Sequence, residues 1–132
     1  MKSRAVLASA MLVALAFSLP AIAKCDDPKL AGTIPDGATA SKSEMLETAA
    51  AMKQYDDDVN SYASCLALET SYRIAAIGSR ITQEQLRQLR SIESNKRNAA
   101  VDELQARADQ FNEQVGVYNA RVDRNLAVQP GR

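Results

Sequence analysis

The sequence of 132 residues contains no histidine and no tryptophan, and only three of its five glycines follow Gly37. Histidine is the commonest metal ligand and glycine-rich loops cradle phosphates, so the usual elements of metal and nucleotide sites are missing. Acidic and basic residues are equal in number, at 16 each, and a chain without basic excess lacks the charge pattern of nucleic-acid binding. We therefore expect no metal, no cofactor, no nucleic acid and no small-molecule substrate.

The first 23 residues are typical of a secretory signal peptide. Lys2 and Arg4 precede an apolar run over residues 5–19, and Ala21-Ile22-Ala23 has the small-x-small pattern of a cleavage site. We expect cleavage near Ala23 and a mature protein that is periplasmic or secreted. The apolar run falls short of the roughly 20 residues that span a bilayer, so a retained membrane helix is the less favoured alternative.

The two cysteines, Cys25 and Cys65, are the only ones in the chain. A pair of cysteines in an exported protein favours one disulfide between them. A disulfide between two chains is the competing reading. A lipid anchor on Cys25 is a further alternative, but Lys24 stands where lipoprotein signals carry a small residue.

Two long helices follow a short arm, residues 24–40, that is rich in proline and glycine. Ser41-x-x-Glu44 and Thr82-x-x-Gln85 are capping boxes, which mark the start of each helix. Helix 1 is predicted over about 42–77 and helix 2 over about 82–126, with Gly78 ending the first. The hairpin occupies residues 41–128, and residues 129–132 are predicted to be a disordered tail.

A turn this short makes the helices antiparallel, so the predicted fold is all-α: a coiled-coil-like two-helix hairpin with an extended N-terminal arm. Facing residues then have numbers that sum to roughly 160. Met45 faces Val115 and Val59 faces Ala100, and large side chains repeatedly meet small ones. The apolar pattern weakens towards the turn.

The arm is long enough to double back along helix 1 and bring Cys25 to Cys65. Ile34-Pro35-Asp36-Gly37 is predicted to form the bend. Leu30 and Ile34 are then expected to cover Leu46, Ala50 and the end of helix 2 over residues 118–122.

Several motifs that could indicate a binding or catalytic site are better explained by their place in the helices. Asp56-x-Asp58-x-Asn60 resembles part of a calcium loop, but Ser61 replaces the required glycine and the segment is helical. Tyr55 and Tyr62 lie on the seam and are predicted to be core residues. A bare hairpin offers no cleft, so we expect the protein not to be an enzyme.

Two surfaces are left as candidates for binding. Leu68, Tyr72 and Ala75 form an apolar stripe between Cys65 and the turn, which we call the candidate partner face. A candidate basic patch near the turn consists of Arg80, Arg87, Arg90 and Arg97. The patch is either a solvated face or a contact for an anionic partner, with peripheral binding to anionic lipid as one hypothesis.

The stretch "IPDGATASKSEMLETAAAMKQYDDDVNSYASCL" resembles short exported proteins of Gram-negative bacteria that share an I-P-D-G-x-x-A block, then E-M and Y-x-x-C-L. That resemblance implies an exported helical protein and no particular activity. "ITQEQLRQLRSI" is similar to the L-T-x-x-Q motif of the periplasmic Spy and CpxP chaperone family, through Thr82 and Gln85.

The leading hypothesis is a non-enzymatic interaction or structural module, stabilised by one disulfide, that binds a protein partner or a second copy as a homodimer. The alternative, implied by the second resemblance, is a periplasmic stress chaperone that holds unfolded clients.

Overall fold

The computed structural model describes residues 24–128, so the predicted signal peptide and the predicted C-terminal tail lie outside the described residues. Helix α1 spans Lys42–Ile77, a single 3-10 turn covers Gly78–Arg80, and helix α2 spans Gln83–Ala127. The two long helices pack against each other in antiparallel orientation. The predicted all-α hairpin is therefore confirmed.

Both helices begin with the capping boxes that the sequence indicates. The backbone N–H of Glu44 donates to Ser41 Oγ at 3.2 Å, and the Ser41 N–H donates to Glu44 Oε2 at 2.7 Å. Gln85 and Thr82 make the equivalent pair at 3.1 and 2.9 Å. These bonds satisfy amides that no helical carbonyl can reach, which is why each helix starts where it does.

The core lies along the seam between the helices. Its main cluster contains Tyr55, Val59, Tyr62 and Leu66 of α1, together with Cys25 and Ala100, and Leu104 packs against it. Towards the turn, Leu66 and Thr70 lie beside Leu89 and Glu93. The predicted register and the predicted core positions of the two tyrosines are confirmed.

Burial is unequal between the two helices. Six residues of α1 are buried, whereas Ala100 is the only buried residue of α2. The other seam residues of α2 are half-buried: Leu104, Phe111, Val115, Tyr118 and Val122. Two helices that touch along one line cover only the middle of each apolar stripe, so the remainder depends on a third segment.

The arm is that third segment: as expected, it doubles back to Cys65 and reaches the end of α2 near Tyr118 and Arg121, but it leaves Leu46 and Ala50 exposed. It starts at Cys65 and ends near Arg121, and Leu30 packs against the core cluster around Tyr55. Leu46, which the arm was expected to cover, is 60% exposed. That expectation was wrong because the arm is drawn onto α2 by polar contacts, described below, that spacing arguments do not reveal.

Two halves of the hairpin differ in this coverage. We call residues 66–97 the turn half, and residues 24–65 with 98–128 the far half. The arm lies on the far half, and the turn half consists of helix and turn alone. Within residues 24–128, neither helix combines length with enough apolar residues to span a bilayer.

Candidate functional site beneath the N-terminal arm

A disulfide fixes the start of the arm to α1. The bond joins Cys25 and Cys65 within one chain, with an S–S distance of 2.02 Å and Cα atoms 5.8 Å apart. Cys25 is buried and Cys65 is half-buried. The expected pairing is therefore present, and it indicates folding in an oxidising compartment, since disulfides persist poorly in reducing ones.

A tight turn at Asp36–Ala40 fixes the other end of the arm. Asp36 Oδ1 accepts from the Ala38 N–H at 2.8 Å, and the Asp36 carbonyl accepts from the Ala40 N–H at 2.8 Å. An aspartate that bonds backbone amides two residues on is a common way to stabilise a turn.

The turn docks directly on the backbone of α2. The Gly37 N–H donates to Gln114 Oε1 at 2.9 Å. A Cβ at Gly37 would collide with the carbonyl oxygen of Gln114 and lie 2.8 Å from the Tyr118 nitrogen. Only glycine allows so close an approach between a turn and a helix.

Arg121 completes this anchor. Its guanidinium donates to the Ala38 carbonyl at 2.9 Å and to the Ala40 carbonyl, and it stacks over the Tyr118 ring with its carbon 5.1 Å from the centroid. Hydrogen bonds from a charged donor are stronger than neutral ones. Sequence reasoning assigned Gly37 only to a bend and overlooked Arg121, because nothing local in the sequence indicates an arginine that bonds residues more than 80 positions away.

Between its two anchors the arm bridges a cleft of about 750 Å³. This volume is within the range of small-molecule sites, so the expectation that the hairpin lacks a cleft was wrong. Residues of the arm and of both helices line it. The lining residues are Asp27, Pro28, Lys29, Leu30, Gly32, Thr33, Ile34, Tyr55, Glu103, Arg107 and Gln110.

The charged groups of the cleft balance one another. Glu103 Oε1 accepts from Arg107 Nε at 2.8 Å, and Asp27 and Lys29 add one charge of each sign. Burial, followed by the negative charges of Glu103 and Asp27, raises the pKa of the Tyr55 phenol above 10.0. The phenol is therefore a neutral hydroxyl near pH 7, and the Glu103 carboxylate is already bonded to the Arg107 guanidinium.

Metal ligation finds no support in the described chain. Within residues 24–128 no cluster of three or more histidine, cysteine, aspartate or glutamate side chains is placed to hold a metal ion. The acidic run considered above is helical, with Asp57 paired to Lys53 at 3.3 Å and Asp58 accepting from Gln54 at 2.8 Å. A carboxylate already bonded along its own helix is not gathered with others around a cation.

The candidate partner face lies on α1 in the turn half. Leu68 is 56% exposed and Tyr72 is 54% exposed, and Ala75 is also exposed. Spacings of four and three residues place all three on one stripe of the helix. The arm does not reach them.

The four residues of the candidate basic patch are all exposed. Arg80 is in the 3-10 turn, and Arg87 is bonded to Glu84. Arg90 and Arg97 are seven residues apart and so share one side of α2. The patch thus extends over roughly 15 Å of α2 rather than converging on a single point.

No family model, curated protein or solved structure matches this chain. Its class is defined by its own geometry, as a helical hairpin with a disulfide-anchored N-terminal arm.

Proposed function

We propose that this protein is an exported, non-enzymatic interaction module that binds a protein partner through the candidate partner face. The observation that carries the proposal is the exposure of Leu68 and Tyr72, at 56% and 54%, on the half of α1 that lies beyond the disulfide and the arm. Burying the remaining surface of these side chains would contribute about 1 to 2 kcal/mol each. A large apolar pair left in water is a common mark of a protein contact.

Export to the periplasm of a Gram-negative bacterium, or secretion, is part of the same proposal. Its support is the disulfide between Cys25 and Cys65, together with the signal-like first 23 residues. The polar groups of the cleft also favour a binding role over catalysis. Glu103 is neutralised by Arg107 and Tyr55 has a raised pKa, so the lining residues offer no nucleophile with an adjacent base.

The test is photo-crosslinking in intact cells from a photoreactive residue placed at position 72. We expect a discrete crosslinked protein, and we expect Leu68→Asp in the same chain to abolish it. Leu46→Asp is the matched control, since Leu46 is equally exposed on α1 but lies outside the stripe. Crosslinking that survives Leu68→Asp, or that is lost equally with Leu46→Asp, would refute the assignment of this face.

Chaperone activity is the second candidate. Its support, besides the single L-T-x-x-Q-like motif, is the run of half-buried apolar residues on α2 that could hold unfolded segments. Suppression of the aggregation of a reduced model client at near-stoichiometric amounts would favour the chaperone. An interaction module with one specific partner should leave that aggregation unchanged.

A further inference from the structure

The cleft beneath the arm contains a buried tyrosine whose hydroxyl has no protein partner among residues 24–128. Tyr55 is 2% exposed and lines the cleft. Burial and nearby charges raise the pKa of its phenol, and no hydrogen bond contributes to that shift. Since no fully enclosed side-chain oxygen or nitrogen in that range lacks a partner, the hydroxyl is the part of Tyr55 that remains accessible, and it faces the cleft. A buried residue with an accessible hydroxyl gives a ligand a fixed hydrogen-bonding group.

The arm presents unbonded main chain to the same cleft. The segment between its two anchors covers roughly 28 Å of the hairpin, from Cys65 to the level of Gln114, so it is largely extended. Within residues 24–128, the backbone groups of residues 26–35 bond no other backbone group. Gly32 lines the cleft and has no side chain, so main-chain atoms form that part of the wall. Unpaired groups of an extended segment are those with which an extended peptide pairs.

The charged residues that line the cleft are balanced in sign. Asp27 and Glu103 are acidic, whereas Lys29 and Arg107 are basic. The bond between Glu103 Oε1 and Arg107 Nε uses one oxygen and one nitrogen, so the second oxygen and the other guanidinium N–H groups remain for a ligand. A cleft without net charge does not concentrate a free anion or cation, but it complements a ligand that carries one charge of each sign.

A short peptide matches all three features. Its amides pair with extended main chain, its carbonyl groups accept from a tyrosine hydroxyl, and its free amino and carboxyl termini carry charges of opposite sign. A saccharide would bond the hydroxyl but leave the charged groups of the cleft without counterparts. A phosphate group would meet two carboxylates, which repel it.

We propose that the cleft binds a short peptide with free termini, which bonds the Tyr55 hydroxyl and the main chain of the arm and places its charged ends against Glu103 and Arg107. A cleft of about 750 Å³ holds a drug-sized molecule, so a peptide of three or four residues fits. Leu68 and Tyr72 of the candidate partner face do not line the cleft. The inference therefore goes beyond the proposed function and does not depend on it.

The first test is a nuclear magnetic resonance titration of the mature, disulfide-intact chain with a library of tripeptides that have free termini. We expect saturable shifts of the backbone amides of residues 30–33 and of the Gln110 side-chain amide, because these groups line the cleft. A disaccharide and inorganic phosphate are the comparison ligands and should leave those resonances unchanged. Absence of shifts with the tripeptides, or equal shifts with either comparison ligand, would overturn the proposal.

Tyr55→Phe tests the buried hydroxyl. The variant keeps the ring and its packing, and loss of one hydrogen bond should weaken tripeptide binding by about three- to tenfold. Tyr62→Phe is the matched control, since Tyr62 is also buried, at 8% exposed, but does not line this cleft. Circular dichroism at 222 nm shows whether both variants remain folded. Unchanged affinity of Tyr55→Phe, or equal loss with both variants, would contradict the assignment.

Glu103→Gln tests the charge balance without touching the core. It leaves the Arg107 charge unpaired, so N-acetylated tripeptides, which carry only the carboxylate, should gain about fivefold or more over C-amidated ones. Glu113→Gln is the control, because Glu113 is exposed on α2 and does not line the cleft. The same preference in wild type and Glu103→Gln would refute the charge match. Leu68→Asp should leave tripeptide binding intact, so failure of this site and failure of the candidate partner face are distinguishable.

Discussion

The far half and the turn half of the hairpin share two continuous helices but differ in what covers them. In the far half the arm adds a third segment, and Tyr55, Val59, Tyr62 and Ala100 are buried together with Cys25. In the turn half only Leu66 and Thr70 are buried. Most of the core thus lies where a short extended segment covers the seam between the helices. The comparison indicates that the arm, together with the pairing of the helices, determines where this protein is well packed.

The charge pattern follows the same division. Basic residues predominate in the turn half and acidic residues in the far half. A polar turn half that buries little does not lose stability to the desolvation of its charges. It is therefore the part of the hairpin most available for contact with another molecule.

Removal of the disulfide should abolish most of the difference in packing between the far half and the turn half. The bond closes a loop with a sequence separation of 40, which in the chain-entropy model stabilises the fold by about 4 kcal/mol. We expect the double variant Cys25→Ser with Cys65→Ser to lose about that much free energy of unfolding in urea titrations. Reduction of the wild-type chain should have the same effect. A loss below about 1 kcal/mol would mean that the other anchor alone keeps the arm in place.

Loss of the second anchor of the arm, at Arg121, should have the next largest effect on stability. Arg121→Ala removes two hydrogen bonds from a charged donor to the carbonyls of Ala38 and Ala40. We expect the free energy of unfolding to fall by about 2 kcal/mol. Arg124→Ala is the control, since that exposed side chain lies one turn further along α2 and should change stability by less than about 0.5 kcal/mol. Equal effects of the two variants would show that net charge, and not the anchor, is responsible.

Gly37→Ala tests the close approach of the arm to α2. A Cβ there would collide with the Gln114 carbonyl, so the turn must move away and stability should fall by about 1 to 3 kcal/mol. Gly116→Ala offers the matched control, because a Cβ at that helical position meets nothing within 4 Å. That variant should be more stable than the wild type by about 0.5 to 1 kcal/mol. Thermal unfolding followed by circular dichroism measures both changes.

The smallest predicted effect is a pH dependence at the start of α1 that the start of α2 lacks. Hydrogen bonds from the Ser41 backbone and hydroxyl lower the pKa of Glu44, so its contribution is present above the unfolded pKa and is lost as pH falls through the folded value. The equivalent Gln85 in the turn half does not titrate. We therefore expect the Ser41 amide resonance to move on acidification while the Thr82 amide does not. Glu44→Gln should remove that pH dependence, and a shift that persists in it would contradict the assignment.

Local sequence patterns predict the helices well because the interactions that start and end a helix lie within one turn. The capping boxes at Ser41 and Thr82 and the glycine at position 78 are examples. The seam could also be predicted, since a short turn leaves little freedom in how two antiparallel helices align. The pairing of Cys25 with Cys65 was favoured over an intermolecular bond by the length of the arm, and it is present.

The candidate site could not be predicted in the same way. The cleft exists because the arm is held at two points and lines it between them, and one of those points depends on Arg121. A single arginine on an amphipathic helix gives no signal of its partner when that partner is a backbone carbonyl far away in the sequence. The expectation that Leu46 would be covered was wrong for the same reason.

By itself, the sequence determined the helical content and the antiparallel register, because both depend on short-range spacing, and it left open whether the two cysteines join within one chain or between two. Only the tertiary structure decided that the disulfide lies within one chain, which side of the hairpin the arm covers, and where the cleft of about 750 Å³ opens. These features depend on contacts between Gly37 and Gln114 and between Ala38 and Arg121, which are separated by 77 and 83 residues. Contacts at such separation depend on three-dimensional packing and leave no periodic trace in the sequence.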